Sequence, residues 1–143
     1  MKIMTENFKI LAEFIKDMSS ETPDVQTYMF VKDAILKYQL DININSKALK
    51  NKMIEINTIL KFEDKESNEK KSEFEIVYAT VVRIEDEVKD KKVIEKIILC
   101  DVQNKICANL ERTFLNLLHN SGYPEVKFEK KLDFNKLYNE KFN

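Results

Sequence analysis

Three stretches of the chain alternate apolar and polar residues with a period of two, the pattern of strands with one face covered and the other wet. In the first, Tyr38, Leu40, Ile42 and Ile44 share one face, opposite Gln39, Asp41, Asn43 and Asn45. In the second, Ile54, Ile56, Thr58, Leu60 and Phe62 oppose Glu55, Asn57 and Lys61. The third sets Phe74, Ile76, Tyr78, Thr80, Val82 and Ile84 against a face carrying Val77, Ala79 and Val81. Apolar residues on both faces predict a central strand or one covered twice. The polar stretch from Glu63 to Glu73 reads as a solvated hairpin loop rather than a binding arm, and Glu85 to Lys92 as a similar connection. Neither is a domain linker, because each is short and the flanking strands need one another.

Elsewhere the period changes. From Val93 onward the pattern is helical: Ile106, Cys107, Leu110, Phe114, Leu117 and Leu118 form one apolar stripe. The single glycine, Gly122, follows as a left-handed helix cap, and Pro124 confirms the stop. Asp133 is placed to cap a short last helix carrying Phe134, Leu137, Tyr138 and Phe142. The N-terminal FKILAEFIKDMS fits both periods: Phe8, Leu11, Ala12 and Ile15 suit a helix face, and Phe8, Ile10, Ala12 and Phe14 suit a strand. Strands first and helices last give an α+β domain with an antiparallel sheet, and 143 residues are one domain.

Composition narrows the function by exclusion. With 24 basic and 25 acidic residues the net charge is -1, so no global field points to nucleic acid or an anionic membrane. One glycine leaves no GxGxxG or phosphate loop. One histidine, His119, sits at a helix end, where the helix dipole or plain solvation explains it better than catalysis. It cannot serve a Ser–His–Asp set with any spacing logic, and zinc would need a fourth ligand beyond two Cys and one His. Cys100 and Cys107 lie two helical turns apart, too far for a disulfide, and read as two buried thiols of a reduced cytosol. Neither a signal core nor a run of 18 apolar residues is found, so the expected location is cytoplasmic, with no direct membrane insertion. The chain reads as non-enzymatic, with no cofactor, no metal and no nucleic-acid partner. An excess of apolar side chains remains, nine Phe, five Tyr and five Met. The crossover TYMFVKDAI, Thr27 to Ile35, is either packed on its own domain or part of an exposed apolar groove for extended chain.

Four segments in order carry a family resemblance. FKILAEFIKDMSSETP, Phe8 to Pro23, resembles the N-terminal strand of the SecB family of protein-export chaperones, and favours the strand reading there. FVKDAILKYQLDIN, Phe30 to Asn43, is similar to that family's crossover and following strand. FEIVYATVVRI, Phe74 to Ile84, resembles its last sheet strand, and SGYPEVKFEKKLDFNKLYNEKF, Ser121 to Phe142, its ending. The chain departs from the family pattern at Ala34, Ile35 and Leu36, where a Trp and a Pro are usual. It departs again at Thr80 (usually Gly), at Cys107 and Ala108 (usually an aromatic–Pro pair), and in its near-neutral charge.

The resemblance implies a four-stranded antiparallel sheet followed by a long helix and a short C-terminal helix, assembled as a homotetramer, a dimer of dimers. It implies a holding chaperone that needs no ATP, binds unfolded precursor proteins and delivers them to the SecA export motor. Client-binding residues carried over are Phe30, Tyr38, Leu40, Ile42, Phe134, Leu137 and Tyr138. Asp17 and Glu21 match acidic motor-docking positions, and a further acidic position falls near Val77, with Glu75 and Glu73 as stand-ins. The tetramer is expected to form through the Ile106 to Leu118 helix and the sheet edges. Two rival roles keep the same sequence features: a SecB-like chaperone dedicated to a toxin–antitoxin pair, and a structural or adaptor protein.

Overall fold

The computed structural model describes residues 7–66 and 70–127. The order of elements is β1 (Phe8–Glu21), α1 (Val25–Ala34) with a 3-10 turn Ile35–Lys37, β2 (Gln39–Ala48), β3 (Met53–Glu63) and β4 (Glu73–Ile84). Then come α2 (Lys91–Lys96), a π turn Ile97–Asp101 and α3 (Val102–Asn120). The strands form one antiparallel sheet in the order β1-β4-β3-β2. The expected four-stranded sheet with a long helix after it is therefore present, and the short helix expected from Asp133 lies outside the described residues. The segment Phe8 to Asp17, which fits both periods, is strand.

Sequential hairpins join β2 to β3 and β3 to β4. The first turns through Asn51 and Lys52, both at φ 61, the left-handed geometry of a primed hairpin turn that matches the twist of the strands. β1 pairs with β4, and the crossover carries the chain from β1 to β2 at the far side, which leaves β1 and β2 as the two edges. As its two-sided apolar pattern predicts, β4 is central. β1 slips register against β4 at Leu11 and at Lys16, two bulges that account for its mixed periodicity.

One face of the sheet is covered by helices. Ile56, Leu60, Phe74, Ile76 and Val82 meet Ile97, Val102, Ile106, Leu110, Phe114 and Leu118, all buried. Each fully buried aliphatic or aromatic side chain contributes about 2 kcal/mol of apolar transfer. Phe62 and Phe114 meet edge to face at 5.4 Å, and Phe74 meets Tyr123 likewise at 5.7 Å. Within the α3 stripe, Ile106, Leu110, Phe114 and Leu118 thus pack on the chain's own sheet. Of its members, Leu117 and Cys107 are only half-buried, so Cys107 is not the buried thiol expected, whereas Cys100 is. Helical spacing explains the split: 106, 110, 114 and 118 lie on one line, and 107 and 117 flank it.

Two devices fix the helix ends. Buried Gln103 accepts from the Thr58 hydroxyl at 3.0 Å and donates to the Ile98 carbonyl in the π turn at 3.3 Å. After α3, the Tyr123 amide donates to the Leu118 carbonyl and the Gly122 amide to the His119 carbonyl. This Schellman cap has Gly122 at φ 105, as the lone glycine and the following proline predict. The Gly122 Cα faces the Tyr28 ring so closely that a Cβ there would lie 2.6 Å from Cε1.

Candidate functional site

The crossover is a helix because Asp24 caps it: the carboxylate accepts from the Thr27 amide at 2.8 Å and the Thr27 hydroxyl at 2.6 Å. Those bonds, with the hydroxyl foremost, hold the Asp24 carboxyl down at about 2, and Lys70 adds to the effect. Thr27, Val31 and Ile35, four apart, form the buried face. Tyr28 donates its hydroxyl to the Gly122 carbonyl at 2.8 Å and stacks on Tyr123 at 5.3 Å, so α1 hangs from the end of α3. The opposite face is left with Val25 72%, Met29 55% and Phe30 54% exposed, and Leu36 beyond it at 91%. Thus the crossover is partly packed on its own domain and partly an apolar surface.

Tyr38 lies in the core. Its hydroxyl donates to the Ser72 carbonyl at 2.8 Å and accepts from the Ser72 amide, and burial pushes its phenol up to about 12. Leu40 and Ile42 are half-buried on the helix-side face of β2, opposite Phe62 and Leu60. Farther along the same strand, a groove of about 380 Å³ opens between edge strand β2 and the α2 region, walled by Ile44, Ile94, Ile98 and Leu99. Edge strand β2 offers unpaired backbone groups beside these apolar walls. Of the expected client-binding residues, the fold puts Phe30 in solvent, half-buries Leu40 and Ile42, and buries Tyr38. Phe134, Leu137 and Tyr138 lie outside the described residues. Val25, Leu36 and the β2–α2 groove escaped the sequence reading, whereas Met29 and Phe30 lie in the crossover it singled out. The spacing of Val25 and Met29 after the Asp24 cap carries a signal for Val25, and no local pattern carries the groove.

The other face of the sheet has no helix on it among the described residues. Cross-strand partners share a face, so register assigns the side chains. Asp17 faces Val77, Ser19 faces Glu75 and Glu21 faces Glu73. The fold therefore gathers Asp17, Glu21, Glu73 and Glu75 at one end of the open face, although they come from two distant segments. Beside them Phe14, opposite Ala79, and Ile59, opposite Val77, form an apolar middle. Lys16 spans this face to reach Glu55 at 2.6 Å, which lowers the Glu55 carboxyl. On the helix side, Tyr78 donates its hydroxyl to Glu13 at 2.7 Å; burial first, then that carboxylate, pushes the phenol up to about 12.

Among the described residues no group of three or more His, Cys, Asp and Glu could hold a metal ion, and no helix is long and apolar enough to cross a membrane. His119 is exposed, with Nε2 3.0 Å from the Val126 carbonyl.

A family model described as preprotein translocase subunit SecB matches residues 2–143. The chain belongs to the SecB family. A relative from Pelagibacter ubique (strain HTCC1062), a putative protein-export protein SecB, is 61% identical over 140 residues, covering 98% of this chain and 100% of that protein. Among solved structures, the Mycobacterium tuberculosis Rv1957 SecB-like chaperone, in complex with a ChAD peptide from the Rv1956 HigA1 antitoxin, superposes with a TM-score of 0.62. That match covers 88% of this chain and 91% of the other at 9% identity, a likeness of fold alone. SecB-family membership makes this chain a protein-export chaperone, built on a sheet with one helix-covered face and, among the described residues, one face that no helix covers.

Proposed function

We propose that this SecB-family chain is a cytoplasmic, non-enzymatic holding chaperone that binds unfolded precursor proteins without ATP and delivers them to SecA. The observation that carries the client reading is the apolar surface of the crossover, with Val25, Met29, Phe30 and Leu36 all at least half exposed. The β2 edge and its groove add a second contact, where extended chain can pair by backbone while its side chains meet Ile44, Ile94 and Ile98. Leu40 and Ile42 continue this surface along β2. Unfolded precursors supply the matching chemistry, extended segments with alternating apolar side chains. Burying about 1,000 Å² of apolar area contributes roughly 25 kcal/mol gross, and ordering the client offsets most of it. The balance permits holding that reverses on handover.

The oligomer is a tetramer in this reading. With the main α3 stripe used internally, the free surfaces are the β1 edge, where Leu11, Phe14, Ile15 and Met18 stand 44–47% exposed, and the outer face of α3 around Cys107, Ala108 and Leu115. A long apolar edge strand left open is an aggregation hazard, and pairing covers it. Several client surfaces on one assembly raise effective concentration, so weak contacts add up to tight holding. SecA docks on the acidic end of the open sheet face, at Asp17, Glu21 and Glu75.

The test is aggregation of a chemically unfolded secretory precursor with and without this protein, together with binding to the folded form. Suppression at a stoichiometric ratio, with no binding to the folded precursor and no ATP requirement, is expected. A protein that leaves aggregation unchanged is an adaptor and not a holding chaperone.

A further inference from the structure

The open sheet face carries more charge information than its acidic end. Across the β2–β3 and β3–β4 ladders, the cross-strand charges are of opposite sign: Lys61 faces Glu75 and Asp41, and Lys47 faces Glu55. At the two ends of the β1–β4 ladder that order reverses. Glu21 stands opposite Glu73, and Lys9 stands opposite Arg83. All four side chains are exposed. Like charges directly opposite destabilise a sheet, so each pair costs the isolated fold stability that an external counter-charge restores.

At the basic end no ion pair among the described residues reaches Lys9 or Arg83. Arg83 lines an open hollow with Leu11, Asn51, Lys52, Met53 and Asp86. The one carboxylate lining it, Asp86, is already taken by Lys52 at 3.4 Å. The hollow thus presents a guanidinium with no ion-pair partner among the described residues, in a lining that is otherwise polar except for Leu11 and Met53. Arg83 and Glu73 are ten residues apart on one strand, about 33 Å at the usual rise. A polyanion such as nucleic acid or a lipid surface does not fit, because two cations neutralise too few phosphates and the acidic end repels the rest.

We propose that the Lys9–Arg83 end is a second docking contact that takes an acidic segment of the same protein partner whose basic surface meets Asp17, Glu21, Glu73 and Glu75. The partner then lies along β4 in one orientation, because the reversed arrangement sets like charges together at both ends. This rests on the docking reading above and adds to it a polarity that the acidic residues alone do not supply.

The experiment measures binding of purified SecA to the intact assembly at low and high salt. A Lys9→Glu, Arg83→Glu double variant is compared with Asp17→Lys, Glu21→Lys. The first is expected to weaken binding about three- to tenfold at low salt and hardly at all at high salt, with client holding unchanged. Lys9→Glu alone is expected to raise the melting temperature while weakening docking, a split that a purely structural pair does not produce. If the basic-end variant binds SecA normally while the acidic-end variant does not, the second contact is refuted and the docking reading stands. If both bind normally, the docking reading itself fails. If the basic-end variant instead loses assembly mass by light scattering, the counter-charge belongs to a second copy of this chain and the proposal is wrong.

Discussion

Gly122→Ala tests how the crossover is hung on the rest of the protein. At φ 105 an L side chain costs about 1–2 kcal/mol in backbone energy. The new Cβ would also lie 2.6 Å from Cε1 of Tyr28, so the ring must move. Moving it forfeits the Tyr28 hydroxyl bond to the Gly122 carbonyl, about 1 kcal/mol net. It also loosens the stacking on Tyr123, worth about 0.5–1.5 kcal/mol. Together these give about 2.5–4.5 kcal/mol, or roughly 10 °C in melting temperature for a chain of this length. Urea unfolding at fixed protein concentration measures it, repeated in a Tyr28→Ala background. There the ring contact is gone and only the backbone part, about 1–2 kcal/mol, is expected to remain. Amide exchange is expected to quicken in α1 and stay slow in β3 and β4. Equal costs in the two backgrounds would show that Tyr28 does not hold the crossover to the α3 cap, and the reasoning fails.

Leu40→Arg is expected to weaken binding of an unfolded precursor while light scattering still reports the intact assembly; a variant that unfolds instead places Leu40 in the core. Gln103→Ala strands the buried Thr58 hydroxyl and opens a cavity beneath the π turn, so a loss of about 3 kcal/mol is expected by urea unfolding. Asp24 titrates near 2 in the folded chain against an ordinary value of 3.8, so its stabilisation is full above pH 4 and lost as pH falls toward 2. Asp24→Asn is expected to flatten that acid limb in a pH series of melting temperatures. Tyr38 and Tyr78 have phenols raised from 10.0 to about 12, so the protection they give is full below pH 10 and disappears as pH rises through 12. Absorbance titration is expected to show these two ionising late, and Tyr38→Phe to shrink the alkaline loss.

Alternation along the chain was enough to define β2 and β3, because each repeats against a wet face and a slip of one residue would turn its whole apolar set outward, and apolar residues on both faces marked β4 as central. The end of α3 was equally plain, since one glycine followed by a proline leaves a single place for a left-handed cap. The charged residues Asp17 and Glu21 were legible through their family motif. What those residues stand beside was not. Register alone brings Glu73 and Glu75 to them, and Lys9 to Arg83, from segments more than fifty residues away. Burial was equally undecided locally: Phe30 and Tyr38 are aromatic residues close together in the chain, yet Ser72 and the neighbouring rings enclose Tyr38, whereas Phe30 lies on the exposed side of α1. The same holds for the α3 stripe. Its spacing announces an apolar face, and only the sheet beneath it decides that the face is the chain's own core, because periodicity records which side chains need covering and never what covers them.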